Sequence, residues 1–280
     1  MSADIKIAAV QMEPRLMKID ENLASIQSLA RKAAADKARL MVFPECALTG
    51  YIFYSRKEAI PYAETVPGPT TETLASLCRE LDVYIVFGLL EKENDKLFNT
   101  AALLGPQGFI AGYRKNHPPF LGIDRFVDRG DRPFQVHPTP IGNIGLEICY
   151  DICFPESSRV IALAGADILA LPTNFPQDRG EKLNVCVRSR AIENKVHVVS
   201  ADRIGSERDY TFAGLSNIVD ATGDILSLAS TDREEIIYGN VNLEAAREKS
   251  VIRIPGVWET HYWRDRRPEL YGRITKPNQD

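Results

Sequence analysis

Six short runs of the chain are almost continuously apolar: Ile5–Gln11, Leu40–Phe43, Val83–Leu90, Ile144–Ile148, Ile168–Leu171 and Val196–Ala201. Runs without regular polar interruption predict strands of a sheet whose faces are covered by helices. Helical patterns lie between them. Asp20 is placed to cap a helix over 21–37, Thr70 one over 71–81, and Pro155 opens one over 156–163; residues 181–195 form a fourth candidate. The turn sequences Gly105-Pro-Gln-Gly108 and Ala221-Thr-Gly-Asp224 each lie between strand-like runs and predict hairpins. This repeated exchange of strand and helix predicts an α/β protein rather than an all-β sandwich.

Composition narrows the class without naming the chemistry. With 280 residues, 44% of them hydrophobic, the chain can bury a large core, and one domain over 1–280 is the expectation. The net charge of −4 is spread over interspersed acidic and basic residues, so no basic stripe points to nucleic acid. No apolar run reaches membrane-spanning length, and the first residues lack the charged and apolar regions of a secretory signal. Five cysteines without framework spacing fit reduced thiols, and a cytoplasmic location is expected. From about Pro255 onward, Trp258, Tyr262, Trp263 and Tyr271 stand among many charges, as in an extended arm that packs on its own domain or on a partner subunit.

Several common catalytic signatures are missing. There is no G-x-S-x-G elbow, no phosphate-binding G-x-x-x-x-G-K-[ST], no G-x-G-x-x-G and no H-E-x-x-H, and the four histidines are scattered. Three other segments carry chemistry. In Val42-Phe-Pro-Glu45-Cys-Ala-Leu-Thr-Gly-Tyr51 a carboxylate follows the end of an apolar strand, where open α/β sheets place their ligands. In Gly112-Tyr-Arg-Lys115-Asn-His117-Pro-Pro119 a lysine sits between a strand and a proline-stiffened loop. In Ile144-Gly-Leu-Glu-Ile-Cys149-Tyr-Asp151-Ile-Cys-Phe-Pro-Glu156 a strand delivers a cysteine to a turn that opens a helix. Free backbone N–H groups at such a turn can hold an oxyanion, as acyl transfer requires.

Together these segments resemble the nitrilase superfamily, the carbon–nitrogen hydrolases with a Glu-Lys-Cys triad. The matches are F-P-E-x-x-L-T-G-Y around Glu45, Y-R-K-x-H around Lys115 and I-C-Y-D-x-x-F-P-E-x-x-R from Ile148 to Arg159, separated by intervals of 70 and 34 residues. The resemblance runs from Ile5 to the tail and includes Leu171-Pro-Thr-Asn-Phe-Pro176, which puts Asn174 and Phe175 beside the substrate. It implies a four-layer α-β-β-α sandwich, a homodimer or higher homo-oligomer, and no metal or organic cofactor. It also implies roles: Cys149 as nucleophile, Glu45 as general base, and Lys115 with the backbone N–H of Tyr150 as oxyanion holders. The substrate is then a small amide or N-carbamoyl compound opened through a thioester. The alternatives are a nitrile, an acyl transfer to another acceptor, or an inactive scaffold.

Several positions depart from the pattern and limit the choice of substrate. Where many amidases of the superfamily carry a second glutamate after the lysine, this chain has Asp124, which either positions Lys115 or substrate or pairs with Arg125 or Arg129. Ile152 and Cys153 occupy the place where carbamoylases often set an arginine, and Cys149-Tyr150-Asp151 replaces the C-W-E of many nitrilases. Cys153 is a second thiol in the same turn, although the I-C-Y-D match gives the nucleophile to Cys149. Glu147, two residues before Cys149 on an apolar strand, either pairs with a buried arginine or lines the pocket and selects a polar or cationic substrate.

Overall fold

A computed structural model describes residues 4–277. The chain begins with β1 (Ile5–Gln11), α1 (Ile19–Ala35) and β2 (Leu40–Val42), then passes through α2 (Arg56–Ala59) and α3 (Pro69–Leu81). It continues with β3 (Tyr84–Glu93), β4 (Lys96–Gly105), β5 (Gly108–Arg114), β6 (Val136–Thr139) and β7 (Gly142–Leu146). Next come α4 (Pro155–Leu163), β8 (Ile168–Thr173), α5 (Gly180–Asn194) and β9 (His197–Asp202). A small ribbon of β10 (Ser206–Glu207) and β11 (Tyr210–Thr211) leads to β12 (Asn217–Val219), β13 (Ile225–Leu228) and β14 (Glu235–Val241). After α6 (Leu243–Arg247), β15 (Ser250–Ile254) and β16 (Trp258–His261) close a hairpin.

The strands form two six-stranded sheets, ordered β14-β1-β2-β3-β4-β5 and β13-β12-β9-β8-β7-β6. The middle of each is parallel (β1, β2 and β3 in one, β7, β8 and β9 in the other), and antiparallel strands finish the edges. Alternate residues explain the apolar runs. On β1, Ile7 and Ala9 join the core shared with the second sheet, while Ala8 and Val10 pack toward α1 and α3. Both faces of the strand are therefore dry, and each fully buried Val, Leu or Ile contributes about 1.5–3 kcal/mol. With α4 and α5 packed against the second sheet, the architecture is the expected four-layer α-β-β-α sandwich.

Two helix starts differ from the expectation. α1 begins at Ile19, one residue ahead of Asp20, with Lys18 at the cap position and no side-chain cap. α3 begins at Pro69, whose fixed φ suits a first helical turn, so the cap moves to Gly68 and Thr70 falls inside the helix. Thr71 Oγ1 accepts from the Gly68 N–H at 2.7 Å. The segment after Pro255 folds back in the β15–β16 hairpin, beyond which Trp263 stacks against the cations of Arg159 and Lys249. Among the described residues, no helix is long and apolar enough to cross a membrane.

Candidate active site

Three loops leaving the C-terminal ends of β2, β5 and β7 supply the polar groups. Pro44 turns the chain out of β2, and its carbonyl accepts from the Gly88 N–H at 3.1 Å, laying the Glu45 loop against β3. That approach requires glycine, because a Cβ at Gly88 would stand 2.3 Å from the Cys46 nitrogen and 2.7 Å from Glu45 Cα. Lys115 follows β5 directly, and its N–H donates to the Asn99 carbonyl on β4 at 2.8 Å. This pairing extends the ladder by one step and brings the Asn99 and Lys115 side chains toward the same carboxylates.

The result is a closed polar cluster. The Lys115 ammonium donates to Glu45 Oε1 at 2.6 Å and to Asp124 Oδ2 at 2.5 Å. Asn99 Nδ2 donates to Glu45 Oε1 at 2.6 Å and to Asp124 Oδ1 at 2.9 Å, and the Tyr51 hydroxyl donates to Asp124 Oδ2 at 2.7 Å. Glu45, Lys115 and Asp124 are all buried, and among the described residues Glu45 Oε2 has no partner. Burial raises the Glu45 pKa to about 7, with the Asp124 charge adding to the rise while Lys115 and Asn99 oppose it. Burial works against the charge of Lys115, yet Asp124 and Glu45 hold its pKa well above the usual lysine range.

Cys149 opens a 3₁₀ turn over Cys149–Cys153 and adopts a left-handed φ of +47°. For a side chain with a Cβ, that conformation costs about 1–2 kcal/mol. Asp151 stabilises the bend: its Oδ2 accepts from the Ile148 N–H at 3.0 Å and the Tyr113 hydroxyl at 2.7 Å, and its Oδ1 bonds His117 Nδ1 at 2.6 Å. The same carboxylate therefore ties the cysteine turn to the strand and loop that carry Lys115. Burial and then the Glu45 charge push the Cys149 thiol well above the usual cysteine range, so the sulfur rests as a thiol.

Cys149 borders a cavity of about 580 Å³ whose wall is mostly apolar, with Tyr51, Leu121, Tyr150, Phe175 and Val185 among its lining residues. Arg179, Glu181 and Lys182 give its rim charges of both signs. A larger groove of about 730 Å³ lies between α4 and the C-terminal segment, but among the described residues no lysine or cysteine borders it, which leaves the cavity at Cys149 as the candidate site.

A family model described as carbon–nitrogen hydrolase matches residues 6–250. The chain belongs to the carbon–nitrogen hydrolase family. It is 38% identical to a nitrilase from Pyrococcus abyssi over 96% of this chain and 100% of that protein. It is 32% identical to an omega-amidase from Homo sapiens over 87% of this chain and 90% of that one. The crystal structure of a carbon–nitrogen hydrolase from Helicobacter pylori G27 superposes with a TM-score of 0.84 at 25% identity, covering 99% of both chains. The protein is accordingly an enzyme of this class, which sets aside the inactive scaffold.

The structure of this carbon–nitrogen hydrolase brings Glu45, Lys115 and Asp124 into direct contact, and Asn174 beside them: its Nδ2 donates to the Glu45 carbonyl at 2.8 Å. Asn174, Phe175 and Tyr150 line the cavity with Cys149. Asp124 serves Lys115 rather than a loop ion pair; Arg125 donates instead to the carbonyls of Gly122 and Phe53. Glu147 fits neither expectation. Among the described residues its carboxylate meets no arginine and no cavity; it accepts from the Ser158 hydroxyl of α4 at 2.8 and 3.0 Å. Burial, followed by the charge of Asp151, raises its pKa to about 8, so it stands as a neutral acid between β7 and α4 at neutral pH. Asn99 and Tyr51 are the polar partners that sequence reasoning missed. Asn99 lies in mid-strand with no motif around it, and Tyr51 stands in the sequence only as the end of a motif.

Proposed function

We propose that this carbon–nitrogen hydrolase opens a small amide or N-carbamoyl compound through a Cys149 thioester, with Glu45 as general base and Lys115 as oxyanion holder. The observation that carries this reading is the single buried ammonium shared by Glu45 and Asp124 beside a cysteine on a left-handed elbow at the cavity wall. The Cys149 proton passes to Glu45 as sulfur attacks the carbonyl carbon. A pKa of about 7 keeps Glu45 able to take that proton and then surrender it near neutral pH. The oxyanion rests on the Lys115 ammonium and the Tyr150 backbone N–H; one such donor is worth about 3–4 kcal/mol of barrier. Glu45 returns the proton to the departing nitrogen, ammonia or an amine leaves, and the thioester remains. Water deprotonated by Glu45 then releases the acid. Asp124 holds Lys115 in place and keeps it charged.

The name of the human relative, an omega-amidase, supports an amide. A second reading, conversion of a nitrile to acid and ammonia, is favoured by the name of the Pyrococcus abyssi relative. Exposed Val160 and Leu163 on α4, beside the groove against the C-terminal segment, support self-association through that face. The deciding experiment is ammonia release by the purified chain on matched simple amides, ω-amides, N-carbamoyl compounds and nitriles, with Cys149→Ala as control. Release from amides or N-carbamoyl compounds that the variant loses supports the reading. Release confined to nitriles replaces it with the second. Activity retained by Cys149→Ala overturns the nucleophile assignment.

A further inference from the structure

Two thiols in the cavity wall are unused by the chemistry above. Cys153 ends the turn that Cys149 begins, and Cys186 lies in α5; both are half-buried free thiols that line the same cavity as Cys149. One helical turn beyond Cys186, Arg190 Nε donates to the Ile152 carbonyl at 3.0 Å. That bond clamps α5 to the residue preceding Cys153 and holds the two cysteines in one stretch of the cavity wall. Among the described residues the other cysteines, Cys46 and Cys78, are buried elsewhere in the fold.

We propose that Cys153 and Cys186 form a dithiol modification site in the cavity wall, which a peroxide closes to a disulfide. This goes beyond the amidase reading and does not depend on it. The Cys186 thiolate attacks one peroxide oxygen, the O–O bond breaks, and the released hydroxide takes up a proton as water. Cys186 is left as a sulfenic acid, oxidised by two electrons. The Cys153 sulfur then attacks the Cys186 sulfur, the S–OH bond breaks, a second water leaves and the S–S bond forms. Altogether the two thiols lose two electrons and two protons, and one hydrogen peroxide becomes two waters.

The order of attack follows from the surroundings. The neighbouring Cys153 thiol lowers the Cys186 pKa to about 6 against the effect of burial, with help from Arg190, whereas the Cys186 thiol and burial both raise that of Cys153. Cys186 therefore supplies the thiolate and Cys153 resolves it. The bond formed would tether the end of the nucleophile turn to α5.

The test is peptide mapping without reductant after hydrogen peroxide treatment of the folded chain. Cys149→Ala protein is mapped first, so that oxidation of Cys149 does not intrude, and the unaltered chain is mapped in parallel in case the variant does not fold. The expected product is one linked pair of peptides carrying Cys153 and Cys186, reversed by dithiothreitol and absent from Cys186→Ser. Before oxidation, Cys186 should react with iodoacetamide at pH 7 at least about tenfold faster than Cys46 or Cys78. Both thiols remaining alkylatable after peroxide would overturn the proposal. So would a Cys149–Cys153 link in the unaltered chain.

Discussion

Arg114 and Lys115 are successive residues, both buried, and both gripped by carboxylates, yet they build opposite kinds of site. Arg114 donates to Glu91 at 2.5 Å and to Asp131 at 3.0 Å, reaches Glu93 at 3.1 Å, and stacks over Phe98 at 3.9 Å. Two of its three carboxylates, Glu93 and Asp131, reach solvent, and both have pKa values below the ordinary range. For Glu93 the Arg114 hydrogen bond is the leading cause; for Asp131 the same contact overcomes burial. Lys115 points to the other face of the sheet, as the two-residue strand period dictates, into a cluster sealed from water. There one cation serves two buried carboxylates, one carboxylate oxygen stays unpaired among the described residues, and the pKa of Glu45 moves up to about 7. Water access, more than the identity of the partners, decides whether a carboxylate's pKa falls, as at Glu93 and Asp131, or rises, as at Glu45.

The largest effect should come from removing each cation. Lys115→Met is expected to lower kcat/KM by about 10³-fold through loss of the proposed oxyanion donor, and to cost about 3–5 kcal/mol by stranding buried carboxylates. Arg114→Met should destabilise the chain to a comparable extent while the folded fraction turns over near the wild-type rate. Urea unfolding together with rates normalised to folded protein separates the two, and equal loss of turnover in both would abolish the distinction drawn above.

An intermediate effect concerns pH. In the proposed mechanism Glu45 must be ionised to act as base, so kcat/KM should rise with pH through a midpoint near 7. Asp124→Asn removes a like charge and should move that limb to lower pH, alongside a loss of rate from the freed Lys115. A limb that stays in place would assign it to another group. The sign for stability is opposite in the two clusters. Because its folded pKa is raised, Glu45 binds more protons folded than unfolded between its ordinary 4.5 and about 7, and its contribution to stability falls as pH rises through that window. Glu93 and Asp131, lowered in the fold, add stability above their unfolded values and lose it as pH falls. The smallest effect follows: Asp131→Asn, at a half-exposed ion pair, should cost at most about 1 kcal/mol at pH 7, read as a small drop in the urea midpoint that shrinks in acid. A drop as large as that of Arg114→Met would mean that the cluster is sealed after all.

Much of this arrangement is legible in the chain itself. The apolar runs mark β1, β2, β3, β7, β8 and β9 because strands covered on both faces leave little room for polar residues. The cap expected at Thr70 does not form there because Pro69, with its fixed φ, opens α3 one residue earlier; α1 starts at Ile19, so Asp20 falls inside it. Glu147 departs from expectation for another reason. Its burial partner, Ser158, is eleven positions away on the next helix, and Gly145 lets that helix come close enough to supply the hydroxyl.

What the sequence determined by itself was therefore whatever repeats along the chain or is fixed by a few neighbours. That covers the α/β class, the strand ends that carry Glu45, Lys115 and Cys149, and the proline-opened helix after the cysteine. Only the tertiary structure decided which groups share hydrogen bonds in the site. Asn99 reaches Glu45 across 54 positions and Tyr51 reaches Asp124 across 73, and nothing local in the chain announces those contacts. The same holds for Cys153 and Cys186, which reach one cavity wall from a turn and a helix. Proton affinity depends on desolvation and on charges a few ångströms away in space, and both come into being only when the sheets close over the site.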